Sequence, residues 1–349
     1  MSNCHTTDFI LKRFLYIFIP FFILLGILTW QAWQIFWPLQ PAHESVLIKI
    51  KYGLGPSEIA SLLHSKGIIA DADDFTKTVR LFGENGSLRA GMYELPARVS
   101  AYKAMKILTT GKQHYIKVTI PEGWQTRQIA ARFARELDVD STRFMALVND
   151  TSFARQKVKA PSLDGFLYPE TYFFTYGVNE RHIIERLIRE FNQTIPDTLR
   201  LWAEKLGFSF HEILTLASII EGEAMLEEEM NIISSVFHNR LERGIPLQAD
   251  PTIQFIIPDG PRRLLNRDLE IDSPYNTYRY AGLPPGPINN PSASAIKAAL
   301  YPADTPYLYF VADGTGAHTF STTLSQHLNA KAKFDKIRKR VAREKKNPN

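Results

Sequence analysis

Cysteine is almost absent. Cys4 is the sole one in 349 residues, which excludes an intrachain disulfide and any cysteine-based zinc site. No apolar run precedes it, so it is not a lipoprotein cysteine. Several familiar catalytic signatures are missing as well. "HEILT" (211–215) begins like the zinc-protease helix H-E-x-x-H but sets Thr215 where the second ligand must stand. There is no G-x-S-x-G elbow for a Ser-His-Asp hydrolase and no G-x-x-x-x-G-K-[ST] phosphate loop. Gly314 and Gly316 have no third glycine and no surrounding strand–helix unit to make a dinucleotide site. His238, His318 and His327 lack metal-ligand spacing and read as hydrogen-bonded structural histidines. No cofactor and no metal is expected. Internal repeats are absent, and low complexity is confined to the last residues.

Net positive charge is missing outside that same tail. Residues 331–349 hold nine Lys/Arg against Asp335 and Glu344; subtracting their +7 from the chain's +5 leaves −2 for the rest. A basic footprint spread over the fold is therefore missing, which argues against nucleic acid as a partner. The tail itself reads as a solvated terminal helix.

Charge is also missing from Phe14–Trp37, "FLYIFIPFFILLGILTWQAWQIFW", which follows Lys12 and Arg13. The run is roughly two dozen residues, against the ~20 that cross a bilayer. Trp30, Trp33 and Trp37 cluster at its far end, as rings at a headgroup level do. A cleaved signal peptide has a shorter apolar core and a small-residue cleavage site. The expectation is an uncleaved single-pass transmembrane helix over 14–37. Residues 1–13 would be cytoplasmic and the remainder outside the cytoplasm, in the inner membrane of a cell with a periplasm.

Beyond it, "VLIKIKY" (46–52) and "GMYEL" (91–95) alternate as strands, while 55–67 and 100–111 read as short helices stopped by Gly67 and Gly111. Residues 38–114 resemble the small LysM-like α+β unit of some cell-wall proteins, with a plain α+β spacer domain as the other reading. "YIKVTIPEGWQTRQIAARFARELDV" (115–139) gives a strand, a Pro-Glu-Gly-Trp turn and a helix capped by Thr126. Further helices are expected over 141–149, 180–195 and 209–224. Residues 247–290 are rich in Pro, Asn and Gly, and a segment that long with little regular structure inside a folded domain is usually functional. The fold class expected from this pattern is α+β, with a domain over 115–330 and a basic tail over 331–349.

The stretch "TLASIIEGEAML" (215–226) sets Glu221 and Glu223 among apolar residues. Ser209 followed by Glu212 is a capping box that starts the helix. At 100° per residue, Ile213, Ala217, Ile220 and Ala224 share a face, and Glu221 falls inside that apolar arc. Glu223 lies about 200° away around the helix, which predicts that the two carboxylates do not serve one cleft. A carboxyl in an apolar setting keeps its proton to higher pH, as a glycosidase acid must. A buried salt bridge is the other reading for either residue. Glycosidases ordinarily pair two carboxylates across the scissile bond, which this helix geometry forbids to Glu221 and Glu223.

"ASIIEGEA", "SVFHNRL", "LQADPT", "SPYNTY", "GLPPGPI", "YLYFV" and "GAHTFS", with "LDGFLYPETY" (163–172) before them, stand in this order in the chain. Together they resemble the membrane-anchored endolytic murein transglycosylases of the MltG type, from the apolar run to about His327. The resemblance implies a lyase that cleaves peptidoglycan between N-acetylmuramic acid and N-acetylglucosamine, leaving a 1,6-anhydro end and terminating nascent strands. It implies Glu221 as the lone acid/base and penicillin-binding proteins and glycan polymerases as partners. Gly222 and Glu170 depart from the residues expected at their places. Within the matching motifs, Tyr275 and Tyr278 can stack on sugar rings, and Gln248, Asp250 and Asn276 can bond acetamido and hydroxyl groups. Two alternatives stay open. A hydrolytic muramidase would need a further carboxylate from Glu223, Asp250 or Asp272; a wall-binding scaffold would cleave nothing.

Overall fold

The protein is described as a computed structural model that covers the backbone of residues 4–36, 45–258 and 260–346, and the side chains from residue 18 to residue 340 apart from 34. It divides into two compact units. One comprises Met1–Ile116 with Phe173–Val178, and the other Lys117–Tyr172 with Asn179–Asn349.

The first unit begins with α1 (Cys4–Phe36) and continues through β1 (Ser45–Ile50), α2 (Pro56–Ser65), α3 (Ala72–Leu81), β2 (Gly91–Pro96) and α4 (Ala101–Thr110). β1 and β2 pair antiparallel from Ser45 opposite Pro96 to Ile50 opposite Gly91. Their inward residues Ile48, Ile50, Tyr93 and Leu95 pack with Ile59, Leu63, Phe75, Val79 and Leu108 of the helices in one buried core. α3 has no counterpart in the sequence reading, although its signals are present. Asp71 caps it by accepting from Asp73 N and Asp74 N, and Phe75 and Val79 make its stripe.

The expected membrane-crossing helix is corrected here. Among the described residues no helix is long and apolar enough to cross a membrane. Gln31 and Gln34 break the apolar run in its second half. The far end of α1 packs on its own unit, where the Phe36 ring lies 5.1 Å from Tyr102 and 6.3 Å from Phe82. Residues 1–3 and 37–44, which the topology expectation also used, lie outside the described residues.

The second unit contains β3 (Tyr115–Thr119, from its third residue), α5 (Thr126–Leu137), α6 (Ser141–Val148), α7 (Thr151–Val158), the start of β4 (Thr171–Thr175), α8 (Glu180–Thr194), α9 (Asp197–Lys205) and α10 (Phe210–Glu223). Then follow α11 (Met230–Glu242), α12 (Asp250–Ile256), α13 (Ala293–Leu300), β5 (Tyr309–Ala312), β6 (His318–Ser321) and α14 (Leu324–Lys346). β5 and β6 pair antiparallel, Tyr309 opposite Ser321. The unit is built around α10. Every residue from Ile213 to Ile220 is buried, so this helix is enclosed on all sides rather than striped, as a helix apolar all round must be. Chain that was read as irregular over 247–290 contains α12 and a 3-10 turn over Asn266–Glu270.

Candidate active site

The Ser209–Glu212 box fixes the start of α10: Ser209 Oγ accepts from Glu212 N at 3.2 Å and Glu212 Oε2 accepts from Ser209 N at 2.7 Å. The other end stops at Glu223, where Ala224 turns extended. Glu221 therefore stands in the last turn. Its Oε2 accepts from the Ser292 backbone N–H at 3.0 Å and from Ser292 Oγ at 2.6 Å. Ser292 is also the N-cap of α13, accepting from Ala295 N at 3.1 Å. The positive end of α13 thus faces the carboxylate, a favourable placement for negative charge.

The Pro121–Trp124 turn closes the other side. Gly123 has φ +69°, and a Cβ there would sit 3.3 Å from Glu221 Cγ. Glycine supplies both the left-handed backbone and the room. Asn290, fully buried, secures this turn. Its backbone N and its Nδ2 both donate to Trp124 O at 2.9 Å, its O accepts from Gly123 N at 2.9 Å, and its Oδ1 accepts from Leu167 N at 3.0 Å. Glu122, on the same turn, has its pKa raised by burial and then by repulsion from Glu221, Glu227 and Glu170.

Glu223 does not point away from this region. It lines a cavity of about 420 Å³ whose wall also includes Gly123, so both carboxylates of α10 border the one turn. Glu221, about 200° around the helix, approaches Gly123 without being part of that wall. Burial, then the charge of Asp250, push the Glu223 pKa up to about 8, against the opposing pull of an Asp250 backbone hydrogen bond and of Arg240. Arg240 is itself engaged with Leu308 O at 2.6 Å, Leu247 O at 2.9 Å and Pro246 O at 3.1 Å. Gly222, the departure noted above, has a structural reason. A Cβ there would meet Pro251 Cβ at 2.6 Å.

Asp250 opens α12 and lines the same cavity. Tyr278 donates to Asp250 Oδ1 at 2.5 Å, and burial together with that bond raises the Tyr278 pKa. Gln248 is exposed, with a left-handed backbone at φ +49° and its N–H given to Thr277 O at 3.0 Å. Tyr275 stacks at a tilt on Phe255, ring centroids 4.9 Å apart, and is not part of the cavity wall. Asn276 is fully buried. Its Nδ2 donates to Leu269 O at 2.9 Å and Ile271 O at 2.8 Å while Oδ1 accepts from Tyr278 N at 3.0 Å, so its amide braces the loop. The structure therefore brings Asp250 to one cavity with Glu223, holds Tyr278 to it only through Asp250, sets Glu221 beside it, and places Gln248, Tyr275 and Asn276 elsewhere on the same loops.

Ser292, Asn290, Trp124 and Asn289 escaped sequence reasoning. The Pro-Glu-Gly-Trp turn and the "INNP" segment carried the signal, but nothing in either says that they meet. Among the described residues no group of three or more His, Cys, Asp or Glu is placed to hold a metal ion.

The model of the YceG-like family matches residues 48–333. An endolytic murein transglycosylase of Bacillus subtilis is 36% identical over 318 residues, 85% of this chain and 88% of that protein. One from Streptococcus pneumoniae strain R6 is 29% identical over 83% of this chain, which spans only 60% of that longer protein. A crystal structure of a yceG-like protein from Listeria monocytogenes covers 82% of this chain and 99% of its own, with 34% identity and a TM-score of 0.57.

Proposed function

The chain belongs to the YceG-like family, and from that premise we propose that it is an endolytic peptidoglycan lytic transglycosylase, a lyase. It cleaves glycan strands between N-acetylmuramic acid and N-acetylglucosamine. Glu221 is the acid/base. Its carboxylic acid gives a proton to the glycosidic oxygen as the bond to the muramyl C1 breaks. The C6 hydroxyl of the same sugar then bonds to C1, closing the 1,6-anhydro ring, and its proton returns to Glu221. No water enters, so no second carboxylate is required to activate one.

The observation that carries this reading is the fixed Glu221 carboxylate, with Oε2 held by both donors of Ser292 and the side-chain-free Gly123 against its stem. One oxygen anchors the group while Oε1 is left for chemistry. A catalytic group locked by its surroundings is what preorganisation requires. Asp250 and Tyr278 bind the strand alongside. Gln248, exposed at its turn, reaches substrate from the rim; Tyr275 and Asn276 act through the loop they build.

Residues 38–114 serve as a LysM-like module, 115–330 as the catalytic domain and 331–349 as a basic tail. The enzyme works on the cell wall, outside the cytoplasm, beside penicillin-binding proteins and glycan polymerases whose nascent strands it terminates. Digestion of purified sacculi followed by mass spectrometry tests the reaction. Anhydro ends, one water lighter than hydrolysed ends, are expected. Hydrated ends would make the enzyme a muramidase, with Glu223, Asp250 or Asp272 as the added carboxylate, and binding without release would make it a scaffold.

A further inference from the structure

The cavity beside Glu221 contains a carboxyl that the reaction does not consume. Glu223 lines it together with Asp250, and Asp250 is already engaged as an acceptor for the Tyr278 hydroxyl. Of two carboxyls on one cavity wall, the more buried one keeps its proton to higher pH. Here that one is Glu223, whose pKa burial and the Asp250 charge push up to about 8. One of its oxygens accepts a backbone hydrogen bond from Asp250. The charged and titratable groups that face it are Asp250 from α12, Arg240 from α11 and Tyr278 from the following loop. Arg127 of α5 shares the cavity wall.

The rest of the wall is uncharged and suits an amide. Pro251 and Ile288 give it apolar surface, Gln254 and Asn289 give it side-chain amides, and Trp124 adds an aromatic ring. Asn289 Nδ2 donates to Ser218 O at 2.8 Å, which fixes the amide orientation. Its Oδ1, in a residue only 7% exposed, is left without a hydrogen-bond partner. A buried acceptor with no protein partner is uncommon in a folded protein, and a ligand donor would satisfy this one. An acetamido group supplies that donor in its N–H, an acceptor in its carbonyl and a methyl for the apolar wall.

We propose that this cavity is the N-acetyl subsite of the glycan groove and that Glu223, as a neutral carboxylic acid, is a positioning residue that donates a hydrogen bond to the acetamido carbonyl, with Asn289 Oδ1 taking the N–H. The assignment rests on the glycan-cleaving reading above for its ligand. Glu223 itself gives up no proton to the substrate; a carboxylic acid kept neutral by its surroundings serves as a hydrogen-bond donor. Above its pKa the donor becomes an acceptor facing another acceptor, beside the Asp250 carboxylate, and the subsite closes to ligand.

Binding is read with Glu221→Gln as the parent, so that the probe, a purified strand of alternating N-acetylglucosamine and N-acetylmuramic acid, stays intact. Calorimetric Kd values are measured between about pH 6.5 and 9.5 for the parent, for Glu221→Gln with Glu223→Gln, and for Glu221→Gln with Glu223→Ala. Above a pKa near 8 the parent's Kd should rise up to about tenfold per pH unit. With Glu223→Gln, which keeps a donor and cannot ionise, that alkaline rise should vanish. With Glu223→Ala, Kd should be about fivefold to tenfold weaker at every pH, the worth of one hydrogen bond, and again flat. An alkaline rise that persists in the Gln variant, or tight pH-independent binding by the parent, overturns the assignment. The product spectrum of the wild-type protein is a separate readout, so a failure of the glycan-cleaving reading shows there and not in these binding curves.

Discussion

Replacing Ser292 with alanine removes one oxygen that does two jobs. Oγ caps α13 by accepting from Ala295 N at 3.1 Å, and it donates to Glu221 Oε2 at 2.6 Å. Loss of an N-cap serine typically costs about 1 kcal/mol. Loss of a hydrogen bond to a charged group costs about 1.5–3 kcal/mol, here partly offset because the Ser292 backbone N–H remains at 3.0 Å. The sum is about 3 kcal/mol, and at about 2–4 °C per kcal/mol for a body of this size the melting temperature should fall about 6–12 °C. Scanning calorimetry reads that number directly. Turnover, measured well below the new transition, should fall about tenfold or more, because a carboxyl held by one donor instead of two no longer keeps its aim. Ser292→Thr keeps both roles of the hydroxyl and should restore most of each loss. A Ser292→Ala protein that melts within about 1 °C of the parent and turns over normally would refute the idea that α13 holds the acid in place.

Glu221→Gln should lower release of anhydro products by ~10²–10⁴-fold, the usual worth of general acid–base catalysis, with the melting temperature little changed. Asn276→Ala removes three part-buried hydrogen bonds and should cost about 3 kcal/mol in urea denaturation, since two carbonyls and an N–H lose their partner; a smaller effect with a sharp drop in glycan affinity would return Asn276 to the substrate. Glu223 makes stability depend on pH. An acid whose pKa is raised in the fold, from 4.5 to about 8, binds its proton more tightly folded than unfolded. That contribution is complete below the unfolded value and is lost as pH rises toward the folded one. Between pH 5 and 8 the wild-type melting temperature should therefore fall relative to that of Glu223→Gln, and parallel curves would place the carboxyl in contact with water.

The opening half of α10 was legible because capping is local. Ser209 and Glu212 are three residues apart, and the box they make needs no tertiary information. The far end was not. Reading a stripe on α10 assumed that one face met water, whereas Ile213–Ile220 is buried throughout, and only packing could reveal that. α3 was overlooked although Asp71 and its stripe were visible, because a charged ten-residue helix carries a weak apolar signal. The partners of Glu221 lay beyond reach for a different reason. Ser292 is 71 positions away, and a lone sequence does not say which distant residues pair. Asn276 shows the same limit inside a motif that was recognised. Its polarity suggested a sugar, but its burial makes it a brace. The apolar N-terminal run was the opposite case, where length and tryptophans outweighed the two glutamines within it.

Asn290 has a consequence for timing. It clasps the Pro121–Trp124 turn across 166 positions of chain, and Ser292, the anchor of the acid, lies two residues further on. A ribosome adding about 5–20 residues per second delivers Asn290 some 8–33 seconds after Trp124. Long-range closures of this kind form late in any case. Once residue 221 has been added, and until residue 292 follows, Glu221 exists without Ser292 and without a clasped turn. A message cut short between codons 221 and 290 therefore yields a protein that retains Glu221 but neither Asn290 nor Ser292 to fix its surroundings.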